Sequence, residues 1–370
     1  MRVQVVDPSA YTPPYDHALC AALARAGADV ELVTSAFAYG SAPAPDGYRL
    51  HELFYRRARG PAGSRVRLAT KLLEHIPDML RYRSVATGAD VVHFQWLTVQ
   101  WLDRYLLPSR PTVLTAHDLL PREPRLAQVR AQRRLYGAVD AVIAHSDYGR
   151  RQLVLELGVD PAQVRVIHHG AFEYLTRIAE GELPPELGAD DPGGPVALFF
   201  GLLRPYKGLD VLLEAWRGLG EPGAELWIVG RPRMALEPLR VRLPPGVRWV
   251  PRFVSDAELA ACFRRAEVVV LPYSSTERFD FSGVLATALA FGKPTVLSDV
   301  GGFGEVAATG AARLVPPRDP GPLRAALAEL LGDPGLRSQL AEAARAAAAG
   351  PYSWDAAARR TLELYRELVG

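Results

Sequence analysis

Three segments in the second half of the chain bring glycine, cationic and hydroxyl side chains to places where a phosphate could be held. The first, Phe200-Gly201-Leu202-Leu203-Arg204-Pro205-Tyr206-Lys207-Gly208, follows a short apolar run. Gly201 lets the chain turn sharply. Arg204 offers a planar fork of donors, and Lys207 a compact charge at the start of a helix. A diphosphate would use both. The second segment runs from Pro272 through a polar loop to Ser282-Gly283-Val284-Leu285 and on into an Ala/Leu helix. Ser282 is placed to cap that helix, whose first-turn N–H groups and dipole favour an anion. The third, Gly292–Glu305, leaves a strand into a Gly301-Gly302 loop. Each alone is an ordinary strand-to-helix connection. The three in this order within one βα half point to a bound diphosphate.

The first half carries a different set. His117 stands just past the run Thr112–Ala116, His93 ends Val91–Phe94, and Trp96 follows it with a face on which a sugar can stack. The proline-rich loop Asp7–His17, including Tyr15 and Asp16, is stiff and could shape an acceptor pocket. His145 reads as structural. His168 and His169 have no third ligand at a recognisable spacing, so no metal is expected.

Val/Ile-rich runs alternating with helical stretches imply parallel sheets covered by helices on both faces. In the first half the strands are Val3–Val6, Val30–Thr34, Val91–Phe94, Thr112–Ala116, Ala141–Ala144 and Val164–Ile167. Helices fall at Asp16–Arg25, Arg65–Arg83, Arg125–Gly137 and Tyr148–Leu157, the last capped at Ser146-Asp147. In the second half the strands are Val196–Phe200, Glu225–Val229, Val247–Val250, Val268–Leu271 and Thr295–Ser298. Ser255 and Glu258 have capping-box spacing. Helices at Leu323–Leu331, Pro334–Ala349 and Trp354–Leu368 end the chain. The Pro-, Gly- and acid-rich stretch EGELPPELGADDPGGP reads as a linker.

At 370 residues, 49% hydrophobic and 23% charged, the chain suits two globular domains. A formal charge of +2 argues for no nucleic-acid partner. Two cysteines, one in each half, make neither a disulfide framework nor a zinc site. No apolar run reaches the length of a membrane span, and no signal peptide is read at Met1–Val6, so a cytoplasmic location is expected.

On these residues the chain resembles glycosyltransferase family 4, retaining enzymes of the GT-B architecture. The resemblance rests on Arg204 and Lys207, on Ala290-Phe291-Gly292-Lys293-Pro294, on Ser298–Gly302 with Glu305, and on Tyr352-Ser353-Trp354. It implies an α/β fold: two Rossmann-like domains facing a cleft, with a C-terminal helix crossing back to the N-domain. The boundaries are 1–180 for the acceptor domain, 181–195 for the linker, 196–350 for the donor domain and 351–370 for the crossover helix. By resemblance, Gly201, Arg204, Lys207, Ser282, Gly283 and Val284 hold the donor diphosphate, and the loop Arg252-Phe253-Val254 meets the base. His117 lies near the donor sugar, and Tyr15, Asp16, His93 and Trp96 face the acceptor. The family's two glutamates fall on Phe279 and Thr287, neither a carboxylate. Glu277 and Asp280 flank the first position, with Asp280 preferred, and Thr287 offers a ribose one hydroxyl.

The expected reaction is metal-independent, retaining hexosyl transfer from a nucleoside diphosphate sugar to an acceptor hydroxyl on a glycan, glycolipid or small molecule, with no cofactor. His117, Asp280, Arg204 and Lys207 are the catalytic candidates. Thr287 keeps open a non-catalytic sugar-nucleotide-binding protein of the same fold. An NAD-dependent Rossmann oxidoreductase is disfavoured, because no Gly-x-Gly-x-x-Gly follows a strand. The basic stretch Tyr55–Arg83 suggests a peripheral contact with anionic lipid at the inner membrane face.

Overall fold

The computed structural model describes all residues except 39, 41, 121–126, 180, 189–192, 220–222, 237–238, 240–242 and 275–279. Glu277, Phe279, the first two residues of the helix expected from Arg125, and part of the expected linker lie outside the described residues. The chain forms two compact units. The first comprises residues 1–170, 277–280 and 354–370; the second comprises 171–276 and 281–353.

The first unit is built on a seven-stranded parallel sheet: β1 (Arg2–Asp7), β2 (Asp29–Thr34), β3 (Arg49–Glu52), β4 (Val91–Phe94), β5 (Thr112–Thr115), β6 (Ala141–Ala144) and β7 (Val164–Val166), in the order β3-β2-β1-β4-β5-β6-β7. β4, β5 and β6 are buried at every residue, as strands covered on both faces must be. The helices are α1 (Pro13–Arg25), α2 (Arg65–Val85), α3 (Gln100–Leu106), α4 (Gln128–Tyr136) and α5 (Asp147–Arg151), the last continuing as a π-turn over Gln152–Glu156. Ser146 caps α5 by accepting the Gly149 N–H at 2.9 Å. The C-terminal helix, Trp354–Val369, belongs to this unit and packs against α1. There Tyr365 meets His93 Nδ1 at 2.6 Å, and Arg25 pairs with Asp355 at 2.8 Å.

The second unit has a six-stranded parallel sheet: β8 (Val196–Phe200), β9 (Glu225–Val229), β10 (Val247–Val250), β11 (Val268–Leu271), β12 (Thr295–Ser298) and β13 (Ala312–Val315), in the order β10-β9-β8-β11-β12-β13. Its helices include α6 (Leu209–Arg217), α7 (Asp256–Arg265), α8 (Gly283–Ala290), α9 (Phe303–Ala307), α10 (Pro320–Gly332) and α11 (Pro334–Ala349). α7 opens with the expected box: the Ser255 hydroxyl accepts the Glu258 N–H, and the Glu258 carboxylate accepts the Ser255 N–H. Two strands escaped the sequence reading, β3 (RLHE) and β13 (ARLV). Both are sheet edges, where one flank needs no covering and no apolar run marks the strand.

Candidate active site

In the second unit Gly201, Lys207 and Val284 meet at the end of β8. Gly201 adopts φ +103°, a conformation that favours glycine. A Cβ there would lie 2.8 Å from Lys207 Nζ and 3.2 Å from Val284 Cγ2, so the bare α-carbon is what lets the ammonium and the first turn of α8 come together. Lys207 is 6% exposed. It donates to the Phe200 carbonyl at 3.5 Å and stands 5.1 Å over the Tyr273 ring. Gly208, at φ +68°, packs against the Pro272 carbonyl where a Cβ would collide. The Tyr206 carbonyl then accepts the Ser274 N–H at 2.7 Å, locking the two loops. Arg204 is half-buried, and its Nε is buried without a hydrogen-bond partner among the described residues. A buried donor left unmatched costs free energy unless something fills it.

Ser282 sits at the N-cap of α8 but does not cap it, contrary to the expected role. Its hydroxyl pairs with Tyr273 OH at 3.2 Å instead. The first-turn N–H groups of α8, which a helix cannot satisfy itself, therefore receive no side-chain cap. Thr287 donates back to the Gly283 carbonyl at 2.9 Å and is 5% exposed, so its hydroxyl proton is engaged within the helix. Arg252 is held by two carboxylates, Glu186 and Glu258, both at 2.7 Å. Their mutual hydrogen bonds push Glu258 down to about 2. Beside it Phe253 is 57% exposed under the Arg231 guanidinium, and Val254 is half-buried. The third loop turns at Gly301, φ +58°.

The first unit gathers an aromatic and imidazole cluster. Tyr15 packs at ring-centroid distances of 4.5 Å from His117, 5.5 Å from His145 and 4.9 Å from both His169 and Trp354. His117 stacks on Trp96 at 5.0 Å, and its Nε2 meets Gln95 Oε1 at 3.0 Å. Trp96 donates to the Thr12 hydroxyl at 2.9 Å. Burial with three neighbouring imidazoles holds His117 well below the usual histidine range. Burial likewise brings His145 down to about 4 and His169 to about 3. His145 donates through Nδ1 to the Ile167 carbonyl at 3.0 Å, leaving Nε2 buried without a partner among the described residues.

One acceptor-side expectation is corrected. His93 is fully buried, with its ring nitrogens bonded to Tyr365 and to Thr115 at 2.7 Å, so it ties the sheet to the C-terminal helix and faces no ligand. Asp16 is buried beside Asp7, and desolvation with that second carboxylate holds it well above the carboxylate range. Asp7 in turn accepts the N–H groups of Ser9, Tyr11 and Thr12, which fixes the proline-rich loop. Asp16 also lines a shallow pocket with Thr34, Ser35 and Glu52.

Asp280 departs furthest from expectation. It is fully buried in the first unit, accepting the His145 N–H at 2.6 Å and the Ser146 hydroxyl. A Cβ on Gly149 would lie 2.5–2.7 Å from the carboxylate, so this glycine makes room for it. The four catalytic candidates thus divide: Arg204 and Lys207 in the second unit, His117 and Asp280 in the first. The sequence reading passed over Gly230 (φ +146°), where a Cβ would strike the Gly201 carbonyl, and over Tyr273 and Gly149. Glycine at a strand end was the available signal for Gly230. The other two are explained only by distant partners. Among the described residues, no group of three or more His, Cys, Asp or Glu side chains is arranged to hold a metal ion.

Residues 15–171 match the family described as Glycosyltransferase Family 4, and residues 194–333 match Glycosyl transferases group 1. A D-inositol 3-phosphate glycosyltransferase of Kineococcus radiotolerans is 30% identical over 397 residues, covering 95% of this chain and 89% of that protein. The chain belongs to glycosyltransferase family 4. A protein of the same name from Mycobacterium bovis is 29% identical, covering 94% of this chain and 77% of that one. Another from Streptomyces bingchenggensis is 33% identical, and there the match spans 56% of the relative. The GT-B fold is shared with solved glycosyltransferases. Sucrose-phosphate synthase from Thermosynechococcus elongatus superposes with a TM-score of 0.73 at 21% identity, covering 100% of this chain and 99% of that one. Anabaena HepE, solved with UDP-glucose, gives 0.72 at 18% identity with both chains fully covered.

Proposed function

We propose that this family 4 glycosyltransferase moves a hexosyl group from a nucleoside diphosphate sugar to an acceptor hydroxyl, with retention of anomeric configuration and without a metal. The observation that carries the reading is the cradle in the second unit. Lys207 Nζ and the Val284 side chain in the uncapped first turn of α8 both lie against Gly201, and Arg204 in the same loop keeps a buried Nε without a partner among the described residues. Two cations and a helix N-terminus form a site for a departing diphosphate and stabilise its charge as the glycosidic bond breaks. The leaving phosphate then takes the proton of the acceptor hydroxyl. The UDP-glucose complex of HepE supports a sugar-nucleotide donor. The relatives' names make a phosphorylated cyclitol the first acceptor to try. No described helix is long and apolar enough to cross a membrane.

A thermal-shift panel of UDP, GDP and ADP sugars identifies the donor, since a ligand at 100 times its Kd stabilises by about 2.7 kcal/mol. Arg204→Ala and Lys207→Ala should each lower kcat by about 10²–10³ while leaving the thermal transition in place. Full activity in both variants would place the diphosphate elsewhere.

A further inference from the structure

Helix α2 turns its apolar side outward. Its inward positions follow the helical period, with His75, Met79 and Tyr82 buried and Lys71, Glu74 and Asp78 half-buried between them. The polar groups on that side are engaged within the unit. His75 bonds Tyr55 OH at 2.7 Å and Asp103 at 2.6 Å; Asp78 accepts the Tyr55 N–H at 2.7 Å, and Glu74 accepts the Arg57 N–H at 3.0 Å. The outward positions carry Val66, Leu68, Leu72, Leu73, Ile76 and Leu80, between 44% and 78% exposed. A helix lying on a globular domain ordinarily does the reverse.

Charge is sorted along the same division. The exposed cations Arg65, Arg81 and Arg83 flank the aliphatic strip at the two ends of the helix, and Arg56, Arg57 and Arg59 are exposed in the loop before it. The helix's two acids, Glu74 and Asp78, point inward. The neighbouring helix α3 packs against α2 and adds Trp101 and Tyr105, 65% and 64% exposed. An aliphatic strip bounded by arginines matches the layering of a bilayer surface. A second copy docking through the same face about a twofold axis would bring arginines against arginines, which opposes association.

We propose that the outward face of α2 docks on a membrane surface containing anionic lipid. The helix would lie in the plane of the interface, with Leu72 and Leu73 entering the acyl boundary and Arg65, Arg81 and Arg83 at the headgroup phosphates. Docking here is independent of which sugar is transferred, and the assay below reads binding alone, so its failure leaves the transferase reading intact.

The test is flotation of the full chain with phosphatidylcholine vesicles, with and without phosphatidylglycerol. Binding is expected only to the anionic vesicles and should weaken with salt. Each of Arg81→Gln and Arg83→Gln should lower partitioning about fivefold, from roughly 1 kcal/mol per surface cation. Leu72→Asp with Leu73→Asp should remove binding without shifting the thermal transition, because both side chains are already solvated. If that double variant fails to fold, the arginine variants and the hydrogen-exchange protection of α2 on vesicles decide. Equal binding to neutral vesicles, binding to neither, or undiminished binding by the variants would overturn the proposal. So would a soluble dimer that the double variant dissociates while vesicles are ignored.

Discussion

Adding one methyl group at Gly201 probes the donor cradle directly. In Gly201→Ala the new carbon starts 2.8 Å from Lys207 Nζ and 3.2 Å from Val284 Cγ2. The ammonium is the free end of a flexible chain, so it retreats by about half an ångström or more, a fraction of the 1 Å misplacement that can cost about 10²-fold in rate. The larger stability cost is the backbone at φ +103°, which an L side chain tolerates only with about 1–3 kcal/mol of strain. At about 2–4 °C per kcal/mol for a unit of this size, the transition should fall by several degrees. Gly27→Ala separates the two effects. Gly27 has φ +92°, a Cβ there would meet nothing within 4 Å, and the residue lies in the first unit. Both variants should lose similar stability, but only Gly201→Ala should weaken nucleoside diphosphate binding by calorimetry and lower kcat/KM, by about 10- to 100-fold. Should Gly201→Ala bind and turn over like Gly27→Ala, the position of Lys207 carries no chemistry and the diphosphate is held elsewhere.

Asp280→Asn tests the reassignment of a residue the sequence placed beside the sugar. Losing charge-assisted bonds to His145 and Ser146 should cost about 1.5–3 kcal/mol, read by denaturant melts, with kcat per folded molecule unchanged. A collapse of kcat with stability intact would restore the catalytic role. His145 supplies a pH signature. Its folded value of about 4 lies below the ordinary 6.5, so the unfolded chain binds the extra proton first and stability is lost as pH falls from 6.5 toward 4. At pH 5 the loss is about 2 kcal/mol, from roughly 1.4 kcal/mol per pH unit. His145→Gln removes it, so the stability gap between wild type and variant should narrow by that amount between pH 8 and pH 5. An unchanged gap would mean that the imidazole titrates alike in both states.

The central strands were legible because burial on both faces forces continuous apolar runs: Val91–Phe94, Ala141–Ala144 and Val268–Leu271 lie where the sequence put them. α1 begins at Pro13, three residues before the expected start, because proline suits the first turn of a helix. In the donor cradle the glycine, the cations and the helix were readable from local spacing. The fate of the hydroxyls was not. Ser282 and Thr287 have the residue types for capping and ribose contact, yet Tyr273, nine residues away, takes one and the helix's own carbonyl takes the other. Asp280 looked like an acid in a polar loop, and only a fold that brings residues 145–149 to it reveals a buried cradle. The apolar outer side of α2 was hidden by its arginines, which drew attention to charge before exposure.

The segment 354–370 completes the first unit although residues 171–353 separate it from the rest. On the ribosome, at about 5–20 residues per second, the earlier-made sheet therefore waits roughly 10–40 s for its last helix. Throughout that interval α1 lacks its packing partner, the imidazole of His93 lacks the phenol of Tyr365, and the bare backbone of Gly170 lacks the indole of Trp354 that covers it. The earlier-made sheet thus keeps an open seam until residues 354–370 have followed it off the ribosome.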